Sequence, residues 1–438
     1  MSEAALGSLL IALMFVLLAV GLEVSIALGL VGVLGLLYLK GWTVGLGVVG
    51  SIAWTNATSF SFVAVPLFVF MSAVLLHSGI GGGLFRSMAR WVGFLPGGLA
   101  VASVFSCAIF AAVSGSSVAT AATIGMIAIP EMERRGYTRS VIIGSLAAGG
   151  TLGILIPPSI PMIIYGVMTE TSIGHLYMAG IIPGVILALI FAAYIIGYAL
   201  IWPAAAPRVA EDQGTILDKL RALGEVGPVA LLIFVVLGSM YLGVVTPTEA
   251  AALGSLVSLA LAVWTRTLTR AALRRAFQET VRTTSMVMAI IIFASIFSHV
   301  IALIGAPRAL LSLVVEWGLP KWAFFTAVFT FLLVIAYALE ELSVMIILLP
   351  ILFPLITKVG FDPVWFGVIM VVWLEIGFIT PPVGLNLFVI QGLIPGARGR
   401  DITVGTTPYV ILMILLVVVL FLVPELALWL PRQMAPGR

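Results

Sequence analysis

Four small residues, Ser114-Gly115-Ser116-Ser117, lie in the middle of an uncharged stretch that runs from Trp91 to Pro130. Serine hydroxyls and unpaired backbone carbonyls are hard oxygen ligands that suit a small cation. Glycine allows the backbone to turn there without a Cβ clash. The pattern predicts an ion site at a turn inside an apolar segment. The alternative is that the small side chains only allow helices to pack closely.

Two pairs of adjacent prolines interrupt apolar segments, at Pro157-Pro158 and at Pro381-Pro382. Proline has no N–H and clashes with the preceding turn, so a helix should break at each pair. Unpaired backbone at membrane depth is tolerated only where it lines a cavity or a ligand site. We therefore expect two broken helices whose free backbone groups bind ions or substrate. The alternative is a structural kink at each pair.

Acidic residues supply a second kind of candidate. Glu340 and Glu341 are the only charges between Trp322 and Thr357, and an ionised carboxylate inside a membrane needs a cation, a partner or water. At least one is expected to be functional, unless a short hairpin leaves both at an aqueous edge. Glu375 is a similar candidate, whose alternative role is a hydrogen bond to a neighbouring helix end.

Other reactive groups are sparse. Cys107 is the single cysteine, so we expect neither an internal disulfide nor a structural metal site, and the three histidines are scattered. The sequence contains no Walker loop with a lysine, zinc motif or nucleophile elbow. The prediction is a protein without a cofactor that is not an enzyme. The runner-up class, an intramembrane enzyme or an assembly scaffold, lacks a visible nucleophile and base.

The elements that must position these residues are membrane helices. The chain is 62% hydrophobic and only 9% charged, whereas a soluble domain is roughly a quarter charged. Its mean hydropathy is +1.25. Basic residues occur in short clusters between apolar spans, which indicates membrane orientation and no nucleic-acid partner. We predict an all-α polytopic membrane protein with lipid around it. The first apolar run is expected to be a retained helix, because no basic n-region precedes it.

Two apolar segments fit no single crossing. At 1.5 Å per residue, a helix of about 40 residues would be ~60 Å long, twice the hydrocarbon core. Trp91 to Pro130 and Trp322 to Thr357 are therefore predicted to be re-entrant hairpins. With the N-terminus outside, most basic residues are cytoplasmic, although single crossings with the N-terminus inside satisfy the same rule. Single crossings are expected near residues 4–20, 24–39, 57–77, 141–165, 179–202, 227–245, 249–265, 283–305, 364–393 and 404–430.

The chain also repeats itself. The two double prolines are 224 positions apart (381 − 157), and the same offset pairs Gly153 with Gly377 and Pro130 with Pro354. An odd number of crossings separates the equivalent points, so the second half should be inverted in the membrane. Inverted repeats that contain broken helices are typical of secondary transporters.

Several stretches together resemble a known family, the large membrane subunit of tripartite ATP-independent periplasmic (TRAP) transporters. The resemblance covers nearly the whole chain. The matching stretches are Phe110 to Thr123, Ile129 to Tyr137, Gly153 to Pro161, Thr246 to Ala250 and Glu375 to Phe388.

This resemblance implies an elevator-type permease, in which a transport domain of two hairpins and two broken helices slides against a scaffold. It implies the following units: 1–90, scaffold helices of the first repeat; 91–178, first half of the transport domain; 179–305, linker and scaffold helices; 306–402, second half of the transport domain; and 403–438, a C-terminal helix.

The resemblance also implies sodium as the coupling ion, bound where each hairpin tip meets a broken helix. The first site would contain Ser114, Gly115, Ser116, Ser117, Gly153 and Pro157. The second would contain Glu340, Ser343, Gly377, Thr380 and Pro381. Ser159 and Asn386 would lie in the substrate cavity. The second hairpin departs from the family pattern, since Glu340-Glu341-Leu342-Ser343 replaces a glycine-serine tip.

The expected function is sodium-coupled transport of small organic acids across the bacterial inner membrane. A periplasmic substrate-binding protein and a small membrane subunit of about four helices are the expected partners. The alternative is a stand-alone ion-coupled dicarboxylate transporter of similar elevator architecture, which a neighbouring binding-protein gene would distinguish.

Overall fold

The computed structural model describes residues 3–79, 82–208, 216–306, 308–309, 312, 316, 318–336, 341–381, 384–394 and 396–434. Within these ranges every regular element is a helix. Eight helical stretches of this described part are long and apolar enough to cross a membrane. The prediction of an all-α polytopic membrane protein is confirmed. Glu340 and Pro382 lie outside the described residues.

The helices of the first half are α1 (Glu3–Ala19), α2 (Val24–Lys40), α3 (Trp42–Ala57), α4 (Ala64–Ser78), α5 (Gly82–Val92), α6 (Gly98–Ser114), α7 (Ser117–Arg134), α8 (Arg139–Leu155), α9 (Ile160–Met168) and α10 (Ile173–Ile201). Those of the second half are α11 (Ile216–Ile233), α12 (Pro247–Trp264), α13 (Arg270–Leu303), α14 (Lys321–Ala336), α15 (Glu341–Val359), α16 (Pro363–Ile379), α17 (Leu385–Leu393), α18 (Gly399–Leu422) and α19 (Glu425–Gln433).

Several of these helices start where side chains cap them. The Thr246 hydroxyl accepts a hydrogen bond from the Glu249 N–H at the start of α12, and the Glu249 carboxylate accepts one from the Thr246 N–H. This reciprocal pair satisfies two backbone donors that a helix start leaves free. Asp362 caps α16 by accepting from the N–H groups of Val364 and Trp365. The Thr246 to Ala250 stretch of the resemblance is therefore a helix-capping motif.

One group of helices packs around α13. Glycines of α2 allow this contact, because a Cβ added to Gly29 would lie 2.6 Å from the Phe293 ring. Helix α4 packs against both α12 and α13, and the Ser255 hydroxyl donates to the Leu67 carbonyl at 2.8 Å. His77 and Glu279 are 2.7 Å apart at one end of the same group. We call α2, α3, α4, α12 and α13 the outer group.

A second group contains the predicted hairpin and break. Helices α6 and α7 form a hairpin that packs on α8, and α18 packs closely on the other side of α8. At the base of this hairpin, Glu131 pairs with Arg134 at 2.7 Å and with Arg135 at 3.2 Å. The hydrogen bond from Arg134 lowers the pKa of Glu131. We call α6 to α10 and α14 to α19 the inner group.

Helix bounds in the two halves match at the offset found in the sequence. Helices α8 and α16 start at Arg139 and Pro363, which are 224 positions apart (363 − 139), and end at Leu155 and Ile379, with the same separation (379 − 155). Helices α9 and α17 each contain nine residues. The first broken helix, α8 and α9, therefore has a counterpart of matching lengths in α16 and α17.

Two details differ from the expected crossings. The predicted crossing at 404–430 is wrong in its last part, because α18 ends at Leu422 and α19 starts at Glu425. Pro424 between them has no N–H to continue the first helix. In addition, α3 was not expected. It contains several polar residues, and Gly45 is its one buried residue.

Candidate functional site

The tip of the first hairpin is a tight turn bonded by hydroxyls. Helix α6 ends at Ser114, Gly115 has a left-handed φ of 62°, and the Ser116 hydroxyl caps α7 by accepting from the Ala119 N–H. The Ser114 and Thr120 hydroxyl oxygens are 2.6 Å apart. Thr120 also donates to the Ser116 carbonyl at 2.8 Å. The turn therefore concentrates oxygen atoms between two apolar helices.

The first double proline breaks its helix as the sequence predicts. Helix α8 ends at Leu155 and α9 begins at Ile160, with a cis peptide bond between Pro157 and Pro158. Because the two prolines have no N–H, the carbonyl oxygens of Gly153 and Ile154 have no donor four residues later. These oxygens lack their usual helical donors, as expected at a break.

The hairpin tip and the break are in direct backbone contact. A Cβ added to Gly153 would lie 2.6 Å from the Ser116 carbonyl oxygen and 2.8 Å from the Thr120 hydroxyl oxygen. A Cβ added to Gly115 would lie 2.9 Å from the Pro158 carbonyl oxygen. Neither position has room for a side chain. The structure therefore brings Ser114 to Ser117 together with Gly153 to Pro158, and the ion-binding role of these residues stays a prediction.

Ser159 and Asn386, which the resemblance assigns to a substrate cavity, are both buried. Ser159 starts α9, its hydroxyl accepts from the Met162 N–H, and its carbonyl accepts from the Tyr177 hydroxyl at 3.5 Å. Asn386 lies in α17, where its Nδ2 donates to the Ser117 hydroxyl at 2.7 Å and to the Ala147 carbonyl at 3.2 Å. Asn386 therefore lies against the first predicted ion site.

The second predicted set is described only in part. Thr380 follows the end of α16, and its hydroxyl donates to the Ile376 carbonyl at 2.5 Å. The Gly377 carbonyl lacks the usual donor because Pro381 has no N–H, and it accepts from the Thr380 N–H at 3.5 Å instead. Ser343 is buried and Pro381 is exposed. Glu340 lies outside the described residues, as does the predicted tip of the second hairpin.

A few buried polar atoms have no hydrogen-bond partner among the described residues. Both carboxylate oxygens of Glu375 belong to this set, together with Asn386 Oδ1 and Trp373 Nε1. The Glu375 side chain is fully buried within α16, two residues before Gly377. A hydrogen bond from Glu375 to a neighbouring helix end, the alternative role considered for it, is not formed by the described residues.

Two features of the site have only weak sequence signals. Thr120 bonds both Ser114 and Ser116, and its spacing four residues after Ser116 places it on the adjoining turn of α7. The bond between Asn386 and Ser117 joins positions 269 residues apart, which no local pattern predicts.

A polar cavity separates the two helix groups. It has a volume of about 440 Å³. Asn56, Ser295, Ser298 and His299 line one side, and Met168, Pro350 and Phe353 belong to the other. The Ser295 hydroxyl donates to Asn56 Oδ1 at 3.4 Å across the first wall. The outer and inner groups therefore meet along a face that is not fully packed.

Comparison with known proteins finds a matching family model and similar transporters. Residues 11–426 match the family described as "Tripartite ATP-independent periplasmic transporter, DctM component". The chain is similar to the C4-dicarboxylate TRAP transporter large permease protein DctM of Pseudomonas aeruginosa, with 38% identity over 85% of this chain and 86% of the relative. It is also 34% identical to the isethionate TRAP transporter permease protein DctMQ of Oleidesulfovibrio alaskensis, over 94% of this chain. That alignment spans 64% of the relative's length.

A solved structure shares the fold. The crystal structure of the YdaH transporter of Alcanivorax borkumensis aligns with a TM-score of 0.61 and 14% identity, over 99% of this chain and 100% of the other. At this identity the likeness concerns the arrangement of helices alone.

Proposed function

Because the chain belongs to the DctM family of large permease subunits of tripartite ATP-independent periplasmic transporters, we propose that it imports small organic acids across the bacterial inner membrane on a sodium gradient. It is a multi-pass membrane permease. A periplasmic binding protein delivers the substrate, and sodium binds where each hairpin tip meets a broken helix.

The observation that carries the proposal is the contact between the first tip and the first break. A Cβ added to Gly153 would lie within 3 Å of the Ser116 carbonyl and the Thr120 hydroxyl. A Cβ added to Gly115 would lie within 3 Å of the Pro158 carbonyl. At the break, the Gly153 and Ile154 carbonyls lack their helical donors, and a carbonyl without a partner at membrane depth costs several kcal/mol. A sodium ion relieves this cost and prefers neutral hard oxygen donors. Ser114, Gly115, Ser116, Ser117, Gly153 and Pro157 form this first site in our proposal.

The second site in this proposal follows from the matching helix bounds of the two halves. Glu340, Ser343, Gly377, Thr380 and Pro381 would hold the second ion. Pro381 has no N–H to donate to the Gly377 carbonyl, and Pro157 has none to donate to the Gly153 carbonyl. The two carbonyls therefore occupy equivalent positions in the two halves.

Relatives support the substrate class. The two reported above are named for C4-dicarboxylates and for isethionate, which are both small organic anions. We propose the same class here, bound near Ser159 and Asn386 once the inner group opens.

Partners follow from the family, whose large permease works with a small membrane subunit and a periplasmic binding protein. The isethionate relative DctMQ is longer than this chain, which spans 64% of it. We propose that a small membrane subunit of about four helices completes the transporter.

The proposed mechanism is an elevator motion within an inverted repeat. The transport domain, residues 91–178 and 306–402, contains both broken helices and moves against the scaffold helices. The unfilled polar face between the groups supports this division, since a tightly interdigitated interface would resist sliding.

Replacing Ser116 and Ser117 together by alanine tests the proposed first ion site. Uptake by liposomes that contain the complete transporter, measured against sodium concentration, should show a half-saturation raised about tenfold, because two ligands are lost with little change of volume. Ser106→Ala is the matched control, since that buried hydroxyl bonds only the Ala102 carbonyl of its own helix. An unchanged half-saturation in a well-folded double variant would make these serines packing residues.

A further inference from the structure

One face of helix α13 presents polar side chains to the cavity between the two helix groups. Ser295, Ser298, His299 and Ala302 all line this cavity of about 440 Å³. The last three follow Ser295 by three, four and seven residues, a spacing that places them on one face of the helix. An ionisable side chain within a membrane helix is rare and usually marks a pathway for substrate or ions. The proposed ion sites do not use this face.

Two polar side chains of this wall hold each other in place. Asn56, in α3, donates from Nδ2 to the Ile52 carbonyl at 2.9 Å, and its Oδ1 accepts from the Ser295 hydroxyl at 3.4 Å. An amide nitrogen carries two hydrogens, so Nδ2 keeps one more to donate. Ser298 and His299 form no hydrogen bond with the described residues. In the part of the chain that the structure describes, an amide, a hydroxyl and an imidazole therefore remain able to donate to a ligand.

The facing wall has a different chemistry. Met168, Leu349, Pro350 and Phe353 of the inner group contribute side chains that carry no charge and donate no hydrogen bond. Ligand sites for small organic molecules typically have volumes of about 300–1,000 Å³ and combine apolar walls with a few convergent polar groups. A small organic acid matches both walls, because its carboxylate accepts hydrogen bonds from the donors while its carbon atoms contact the apolar side.

A single cation fits this cavity less well. None of the described lining residues is an aspartate or a glutamate, and a hard cation prefers closely surrounding oxygen ligands. The described lining also contains no arginine or lysine. Neutral donors bind a carboxylate less tightly than a guanidinium does, which suits a site that passes its ligand on.

The cavity lies toward the periplasmic end of α13 in the proposed topology. This helix starts with Arg270, Arg274 and Arg275, a basic cluster that the positive-inside rule places in the cytoplasm. His299 follows Arg270 by 29 residues (299 − 270), which is about 44 Å along the helix at 1.5 Å per residue. The hydrocarbon core is only ~30 Å thick. His299 therefore lies at the opposite side of the membrane from the basic cluster.

Helix α9 connects this cavity with Ser159, near which we propose that the substrate binds. Met168 is the last residue of α9 and lines the cavity, whereas Ser159 directly precedes the first residue of α9. The nine positions between them (168 − 159) correspond to about 14 Å of helix. The cavity and Ser159 are therefore at opposite ends of one short helix.

We propose that this cavity is an entry site, where the organic acid binds from the periplasmic side before it reaches Ser159 and Asn386. The Ser298 hydroxyl and the His299 imidazole donate to the carboxylate, and Asn56 offers its second amide hydrogen. This inference rests on the import of organic acids proposed above and adds to it a first binding step with its own residues.

Protection of a cysteine from labelling tests the entry site directly. Ala302 lines the cavity and has no donor to lose, so Ala302→Cys in a Cys107→Ala background reports on the site without altering it. An impermeant thiol reagent is added to vesicles whose periplasmic side faces outward, with succinate, isethionate or succinamide present. We expect the acid that the transporter imports to slow labelling about fivefold or more, and the uncharged succinamide to have no effect.

Thr58→Cys in the same background is the matched control. Thr58 is exposed directly after α3, two residues beyond Asn56, and is not among the lining residues. It should be labelled at the same rate with and without each acid. Equal protection of both cysteines would show a general change of the protein and would contradict binding in the cavity.

Removing the donors gives a second, independent measurement. Ser298→Ala and His299→Ala should each raise the half-saturation of uptake for the substrate-loaded binding protein about tenfold, because each loses a hydrogen bond to a charged group. The sodium half-saturation should stay unchanged. His299→Gln keeps an N–H donor and should be closer to the wild type than His299→Ala. If all three variants keep the wild-type half-saturation, the inference is wrong.

The outcomes separate this inference from the proposed function. Labelling of Ala302→Cys that an imported acid does not slow, or a cysteine that the reagent cannot reach from the periplasmic side, contradicts the entry site and leaves import in place. This holds even if the donor variants fail to fold. A transporter that imports neither succinate nor isethionate on a sodium gradient contradicts the proposed function, and with it the entry site.

Discussion

Gly153 is the residue at which the proposed site tolerates no side chain. Its neighbours are the Ser116 carbonyl and the Thr120 hydroxyl of the facing hairpin, both closer than 3 Å to the position of an added Cβ. The sequence identified Gly153 through its repeat partner Gly377 and through the double proline that follows it. It could not identify Thr120, because the reason for Thr120 is a contact between separate elements.

Gly153→Ala should therefore separate the hairpin tip from the break. An added methyl group in a closely packed contact typically costs about 1–3 kcal/mol, so the thermal stability of the purified protein should fall. Sodium dependence should weaken along with it, because the two sets of oxygens move apart. Thermal unfolding with and without sodium measures both effects.

Gly197→Ala is the matched control for this prediction. Gly197 lies near the C-terminal end of α10, and an added Cβ there would meet nothing within 4 Å. Alanine is the better helix former, so this variant should be at least as stable as the wild type. If Gly153→Ala is equally harmless, the tip and the break are not in the close contact described here.

At the level of elements, the positions of proline and glycine predicted where helices break better than hydropathy did. The double proline located the break between α8 and α9, and the 224-residue offset also separates the ends of α8 and α16, at Leu155 and Ile379. Hydropathy missed α3 and merged α18 with α19, because apolar composition alone does not reveal where a helix turns. The pairing of α17 with α7 was beyond the sequence, since it depends on how the two halves pack.

The re-entrant hairpin is an element-scale prediction that single cysteines can test. Arg90 and Glu133 flank the hairpin and are exposed, and Ser172 is an exposed residue beyond the broken helix. In a Cys107→Ala background, cysteines at 90 and 133 should react with an impermeant reagent from the cytoplasmic side. A cysteine at 172 should react from the periplasmic side, because α8 and α9 together make one crossing.

Cys107 is the single cysteine of the sequence, so one substitution gives a cysteine-free background. Labelling of positions 90 and 133 from opposite faces would show that the segment from 91 to 130 crosses the membrane once, and the topology proposed here would be wrong.

At the scale of the whole molecule, the proposed elevator motion would take place at the boundary between the two helix groups. The outer group is held together by close glycine contacts between α2 and α13, whereas the cavity of about 440 Å³ lies between the groups. Close packing resists deformation, and an unfilled boundary is where rigid bodies can shift relative to each other. Sodium at the tips would then set which arrangement is stable, in proportion to its different affinity for the two states.

We propose that this permease uses sodium to import an organic acid that a binding protein delivers. This proposal is tested most directly by uptake of a radiolabelled C4-dicarboxylate into liposomes that contain the permease and its small subunit, with the binding protein outside. We predict uptake when an inward sodium gradient is present, and none when potassium replaces sodium or when the binding protein is omitted. Uptake of the free acid at the full rate in potassium would contradict the proposed sodium coupling. Uptake at the full rate without the binding protein would contradict the proposed delivery of the substrate.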